Sequence, residues 1–278
     1  IRRPPRSTLD RSSAASDVYK RQPIASTWGR ASSFVPTGLG YLLFSLPCWF
    51  LIKETPSRKG LSLKLLKGGY IQIFRTFRER SRHTNLFRFI IARFLYVDAI
   101  NTLLVFMAIY LTEVIGFDDS KVRVLLLTST ASAIVGSFVY GRLTDYIGPK
   151  NTLFIILTQW VIVFVGLAAT SSQSFIWIIG FLAGTALGGT WTADRTMLTR
   201  LAPREQIGEF FGLYQLAGKF AAVIGPLIWA LTVESLIALG NARFRIAILV
   251  LLVNVILGGL VLALIKQPNY QSREFRQH

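Results

Sequence analysis

Seven long apolar runs divide the chain, at 33–52, 89–112, 124–140, 152–170, 174–193, 210–233 and 246–265. About 20 apolar residues of helix cross the hydrocarbon of a bilayer. Inside lipid each backbone N–H and C=O must be satisfied within the spanning structure, which leaves helices and closed barrels. The runs are continuous rather than alternating, so they read as helices and not as barrel strands. The pattern therefore predicts an all-α polytopic membrane protein with about seven transmembrane helices, whose first partner is the lipid bilayer. Two of the runs are interrupted by charge, and the turn predicted at 171–173 is very short.

Charge distribution sets the expected topology. The chain holds 31 Lys and Arg against 14 Asp and Glu, a net charge of +17. A basic excess of that size can mark a nucleic-acid partner. Here the cations lie mostly between apolar runs, which argues for orientation in a membrane and against nucleic acid. Ten of them, Lys53, Arg58, Lys59, Lys64, Lys67, Arg75, Arg78, Arg80, Arg82 and Arg88, fall in the 53–88 connector. The positive-inside rule places that linker in the cytoplasm. Alternation then puts 141–151, 194–209 and the tail after 265 on the same side, with Arg142, Lys150, Arg195, Arg200, Arg204, Lys266, Arg273 and Arg276. The opposite side carries Lys121, Arg123, Arg243 and Arg245. Residues 1–22 break the rule, since alternation places their six Lys and Arg outside. That Arg/Ser-rich string has no apolar core and is no secretory signal. It reads as non-native sequence resembling a translated adaptor, or as a basic disordered tail.

Within the linker, Leu63, Leu66, Tyr70, Ile73, Phe74 and Phe77 recur at helical spacing with basic residues on the other face. This predicts an amphipathic helix, lying on the membrane surface or packed under the bundle. Catalytic chemistry finds no foothold. There is one cysteine, Cys48, and the two histidines, His83 and His278, lie outside the apolar runs. No nucleophile–base pair, phosphate loop or metal-ligand cluster is present, so no enzyme, metal or cofactor is expected.

The polar stretch "GRLTDYIGPK" joins two of the runs. Its pattern Gly141-x-Leu143-x-Asp145-x-x-Gly148-x-Lys150 resembles the cytoplasmic loop signature of the major facilitator superfamily, with Tyr146 where that family usually carries a basic residue. Glycines there let helix ends approach, and Asp145 can cap the next helix or pair with a base. The segments "ARFLYVDAINTLLVFMAIY" (92–110), "GGTWTADRTMLTRLAP" (188–203) and "GEFFGLYQLAGKFAAVIGPL" (208–227) are similar to the vacuole-effluxer-like branch of that superfamily, which includes autophagy-associated permeases. The resemblance implies a particular organisation. Residues 23–52 would be the last helix of an N-terminal half, 53–88 the central linker, and 89–278 the C-terminal six-helix bundle with a short cytoplasmic tail. The missing N-terminal half of the same protein becomes a partner, and the chain a fragment. The implied activity is secondary transport of a small polar solute by alternating access, with efflux of amino acids as the example the branch offers, in a bacterial inner (plasma) membrane. The competing reading is a non-transporting scaffold or receptor-like membrane protein.

Charged residues within the runs are the candidate site. A charge at mid-membrane costs roughly 2.5–3.5 kcal/mol on insertion scales. Asp98 and Lys219 lie at similar depth from the cytoplasmic side, with Asn101 and Gln215 on their respective faces. These four form either a solute or coupling-ion site or, for Asp98 and Lys219, a buried pair that locks two helices. Trp191, Thr190 and Tyr214 are candidate cavity walls. Asp194 and Arg195 end the fifth run and read as a gate with the 141–150 loop, or as head-group anchors. Arg93 reads as snorkelling to the cytoplasmic end. Gly180, Gly184 and Gly188 repeat every fourth residue, a close helix-packing stripe. Gly225-Pro226 predicts a bend, static or used in gating.

Overall fold

The computed structural model describes residues 34–51 and 83–266. The 1–22 tail and the amphipathic segment from Leu63 to Phe77 lie outside the described residues. The chain divides into two units, 1–63 and 64–278. In the first, α1 (Phe34–Leu51) is an 18-residue helix with Pro47 inside it and no buried residue. In the second lie α2 (Thr84–Glu113), α3 (Asp119–Ile147), α4 (Pro149–Ala169), α5 (Gln173–Leu201), α6 (Ile207–Ser235) and α7 (Ala242–Ala263). All seven helices are long and apolar enough to cross a membrane, and no strand occurs among the described residues.

Four helices, α2, α3, α5 and α6, overrun at both ends the apolar runs that predict them. At 30 residues, α2 is about 45 Å long, against a hydrocarbon thickness of about 30 Å. Polar first and last turns therefore reach past the lipid and stay helical. The 141–150 stretch shows the consequence, and corrects its reading as a loop. Gly141 to Ile147 are the last turns of α3, Gly148 turns the chain at φ +86°, and Pro149 begins α4. Proline fits a first helical position because that N–H has no partner to lose. A side chain at Gly148 would be strained at that φ, so the residue type is set by the turn.

Within the second unit, α3 packs on α5, α5 on α4, α4 on α7, α7 on α2 and α2 on α6. This order leaves α3 and α6 at the flanks. Half of the apolar window of α2 and of α4 is buried, against 17% for α6. The contact between α3 and α5 is the closest. A methyl group added at Gly184 would stand 2.1 Å from the Ser129 carbonyl, and one at Gly188 would stand 1.9 Å from that of Ala133. Gly136 answers from α3, where a methyl would stand 2.2 Å from the Thr185 carbonyl. The every-fourth-residue glycine stripe lets the two backbones touch.

The two ends of the bundle are tied by side chains that cap helix C-termini. At the end where α2 begins, Lys150 donates to the carbonyls of Ala263, at 3.1 Å, and Ile265. Arg88 donates to Leu264 O at 2.9 Å. At the opposite end Arg245 of α7 donates to Ala168 O at 3.3 Å and Thr170 O at 3.2 Å, where α4 ends. Thus α4 caps α7 and α7 caps α4. Cations suit both places because unsatisfied carbonyls concentrate negative charge at a helix C-terminus.

Candidate solute cavity

A cavity of about 240 Å³ opens between α2, α5 and α6. Its lining follows helical periodicity on each wall. From α2 come Arg93, Val97, Ile100 and Asn101, from α5 Leu187, Thr190, Trp191 and Asp194, and from α6 Gln215, Gly218, Lys219 and Ala222. The spacings are i, i+4, i+7, i+8 on α2 and i, i+3, i+4, i+7 on the others, which is one face of each helix. A second cavity of about 180 Å³, between α2, α3 and α5, is lined by apolar side chains such as Leu104, Met107, Leu125 and Ile179 and carries no charged group. The polar chemistry is in the first.

The floor of that cavity is a buried ion pair. Arg93 Nε lies 3.2 Å from Asp194 Oδ2, and the two residues are 8% and 1% exposed. Tyr96, fully buried, donates its hydroxyl to the other oxygen of Asp194. The guanidinium stacks over the Tyr214 ring with its carbon 3.5 Å from the centroid, and Nη1 donates to the Tyr214 carbonyl at 3.1 Å. Gly218 keeps this arrangement possible, since a methyl there would come 3.1 Å from Arg93 Nη1. Beside the pair, Trp160 of α4 donates to Thr190 Oγ1 at 3.0 Å and fixes that wall. Buried charges persist where they are paired and hydrogen-bonded, and this pair meets both conditions.

The predicted site residues divide. Asn101, Trp191, Gln215 and Lys219 line the cavity, with Trp191 57% exposed. Tyr214 lies beneath Arg93 rather than on the wall. Asp98 is not part of the cavity. It is 2% exposed and faces α6 and α7, where Asn254 Nδ2 donates to its Oδ2 at 3.2 Å. Its Oδ1 has no hydrogen-bond partner and lies against Gly225. The buried Asp98–Lys219 pair, one of the two readings of these charges, is not formed. Five residues along α2 turn a side chain by about 140°, so Asp98 points away from the face that Arg93 gives to the cavity.

Three other expectations change. Arg93 does not snorkel but turns inward to Asp194. Asp194 has its partners on α2, Arg93 and Tyr96, rather than in the 141–150 segment, while Arg195 next to it is exposed. Asp145 is exposed and makes no ion pair or hydrogen bond among the described residues; it caps nothing, since Gly148 is the N-cap of α4. A methyl added at Gly141 would stand 3.7 Å from Thr192 Cγ2 on α5, Leu143 is half-buried, and Lys150 serves α7. At Gly225-Pro226 the helix runs through unbroken from Ile207 to Ser235. Gly225 is there for close approach, because a methyl would stand 1.9 Å from Thr102 Oγ1 and 2.8 Å from the Asp98 carbonyl. Residues outside the expectation are Tyr96 and Asn254. The signal for Arg93 was available, since it shares the Val97, Ile100, Asn101 stripe.

Comparison with known proteins agrees with this architecture. The family model described as "Vacuole effluxer Atg22 like" matches residues 14–270. YxiO of Bacillus subtilis (strain 168), an uncharacterized MFS-type transporter, is 27% identical over 84% of this chain and 54% of its own length. Autophagy-related protein 22 of Pichia angusta is 22% identical over 71% of this chain and 42% of its own length. The chain thus spans about half the length of the curated relatives it matches. Among solved structures, a bacterial homologue of the human lysosomal transporter Spinster, inward-facing and unoccupied, shares the fold with a TM-score of 0.56 at 17% identity. That match covers 91% of this chain and 63% of the other.

Proposed function

The chain belongs to the vacuole effluxer Atg22-like family, and on that premise we propose that it forms one half of a pathway for a small polar solute, moved by alternating access. The observation that carries the reading is the cavity between α2, α5 and α6. Polar side chains from three helices converge there inside a bundle with a largely apolar core. Polar groups at membrane depth are costly and persist where they line a cavity or meet a partner. In this fold the solute path runs between two bundles that rock against each other. We read the chain as the C-terminal half with the preceding helix, and the N-terminal half of the same protein as its partner. The solute class we favour is amino acids, moved outward in keeping with the family description. The membrane is read as a bacterial plasma membrane, with the linker and C-terminus in the cytoplasm.

The test is flux. In cells lacking the gene, the pools of small polar solutes, amino acids first, should change. In vesicles this chain alone should carry no saturable flux, and co-expression with the missing N-terminal helices should restore it. Unchanged pools together with no flux from the joined halves would leave the scaffold or receptor reading. Orientation has its own check. A cysteine at exposed Asp145 should label from the cytoplasm and one at exposed Asp119 from outside.

A further inference from the structure

We propose that Lys219 is the docking point for a carboxylate of the solute, and that this half of the pathway recognises the anionic end of its substrate and not an amine. The proposal rests on the transport reading only for the word solute; the binding chemistry stands on the cavity.

The charges lining the cavity are Arg93, Asp194 and Lys219. The first two neutralise each other at 3.2 Å. Asp194 has both oxygens engaged, one by Arg93 and one by Tyr96, and is 1% exposed. Arg93 is held between Asp194 and the ring and carbonyl of Tyr214. Neither is free to take a ligand without breaking a buried pair, which is strongly unfavourable. Lys219 differs. Its side chain is exposed on the cavity and makes no ion pair or hydrogen bond among the described residues. It is the uncompensated charge of the site.

Its neighbours are amides. Gln215 stands one turn before it on α6, and Asn101 lines the facing wall on α2. Neither side chain forms a hydrogen bond among the described residues. A cation with two uncommitted N–H₂ groups suits a carboxylate, which accepts several hydrogen bonds and gains most from a charged donor. An ammonium would find amide oxygens to donate to but no free carboxylate on the wall, and Lys219 beside them would repel it. Gly218 leaves the floor open between Lys219 and Arg93, and the half-exposed indole of Trp191 offers an apolar surface for the rest of a small organic acid. The cavity of about 240 Å³ has room for a molecule of amino-acid size.

The experiment reads binding at Lys219 directly, without flux. This chain in lipid vesicles is treated with a water-soluble amine-acylating reagent, and acylation of Lys219 is followed by peptide mass spectrometry. Three probes compete: N-acetyl-L-leucine, which has a carboxylate and no amine, L-leucinamide, which has the reverse, and inorganic phosphate. N-acetyl-L-leucine should slow acylation about tenfold once it stands at ten times its Kd, as simple occupancy requires. L-leucinamide and phosphate should leave the rate unchanged. The thermal stabilisation given by N-acetyl-L-leucine should persist in Lys219→Arg and vanish in Lys219→Gln, a substitution at an exposed position that the fold tolerates. Equal protection by the amide, protection by phosphate, no protection by any probe, or a Lys219 that the reagent never reaches would each overturn the proposal. Protection by the acid with no flux from the joined halves would keep the site and remove the transport reading instead.

Discussion

Two carboxylates sit inside the same bundle and meet opposite treatment. Asp194 on α5 has a guanidinium and a phenol hydroxyl on its two oxygens. Asp98 on α2 has a single amide N–H from Asn254 and one oxygen with nothing to accept from. Both are almost fully buried. The difference is one of azimuth and not of depth. Arg93 and Asn101 lie on the face of α2 that looks at α5 and α6, and Asp194 completes that face. Asp98 lies on the face closed by α7. The cavity therefore carries a charge that is balanced and a charge that is free, Lys219, whereas the α2–α7 contact holds a carboxylate with no cation among the described residues. Pairing ties Asp194 into the framework of the cavity, and its absence leaves Asp98 replaceable.

The largest effect should come from breaking the paired side. Asp194→Asn leaves Arg93 buried without its counter-ion. Removal of one member of a buried pair costs about 3–5 kcal/mol. The protein should show a large drop in melting temperature in detergent, or fail to accumulate. Replacing both, Arg93→Met with Asp194→Leu, should recover most of that stability, because two apolar side chains need no partner. A double variant no more stable than Asp194→Asn alone would mean that the pair is not a closed unit. Tyr96→Phe is the milder probe of the same side. It deletes one hydrogen bond to a charged acceptor, a loss of about 1.5–3 kcal/mol, and should fall between the single and double variants in the same melting series.

How far these two regions could be read from the sequence follows from the same geometry. The seven helices were legible because apolar length is a direct requirement of the bilayer. Their ends were not, because helix hydrogen bonding continues where hydrophobicity stops, so the polar turns through Ile147 and Leu201 read as loops. The glycine stripe on α5 was legible because a repeat of four is itself a statement about one helix face. Equal depth leaves an Asp98–Lys219 pair open as one of two readings, and depth says nothing of which way a side chain points. Arg93 and Asp194 were each assigned to a helix end, because both lie within reach of the head groups by count. Only their shared faces with Asn101 and Trp191 separate them from snorkelling residues. Asn254 was invisible as a lone amide in the apolar run 246–265, and Lys150 could not be matched to a helix C-terminus 113 residues away.

The contact that shields Asp98 can be opened without touching the carboxylate. Gly225→Ala places a methyl 1.9 Å from Thr102 Oγ1 and 2.8 Å from the Asp98 carbonyl, which is backbone and must move. Overpacking of this kind costs about 1–3 kcal/mol. α6 should lift from α2, and amide hydrogen exchange should rise in both helices around these residues, with the Arg93–Asp194 end unchanged. Exchange that rises equally at both ends would join the two regions into one, and the comparison would fail.

The smallest effect should come from Asp98 itself. An ionised carboxylate without a cation is unfavourable at this depth, and its replacement by an amide of the same shape removes that term. In Asp98→Asn the side-chain oxygen can still accept from Asn254 Nδ2. The new N–H₂ takes the place of the oxygen that has no donor. A swap that removes a buried charge while keeping the one existing bond should change stability by less than about 1 kcal/mol, in either direction. The melting temperature of Asp98→Asn should therefore stay near that of the unaltered protein while Asp194→Asn collapses. A loss at Asp98 as deep as the loss at Asp194 would show that Asp98 has a cationic partner in the working protein, beyond the residues described, and that the two carboxylates are held in the same way after all.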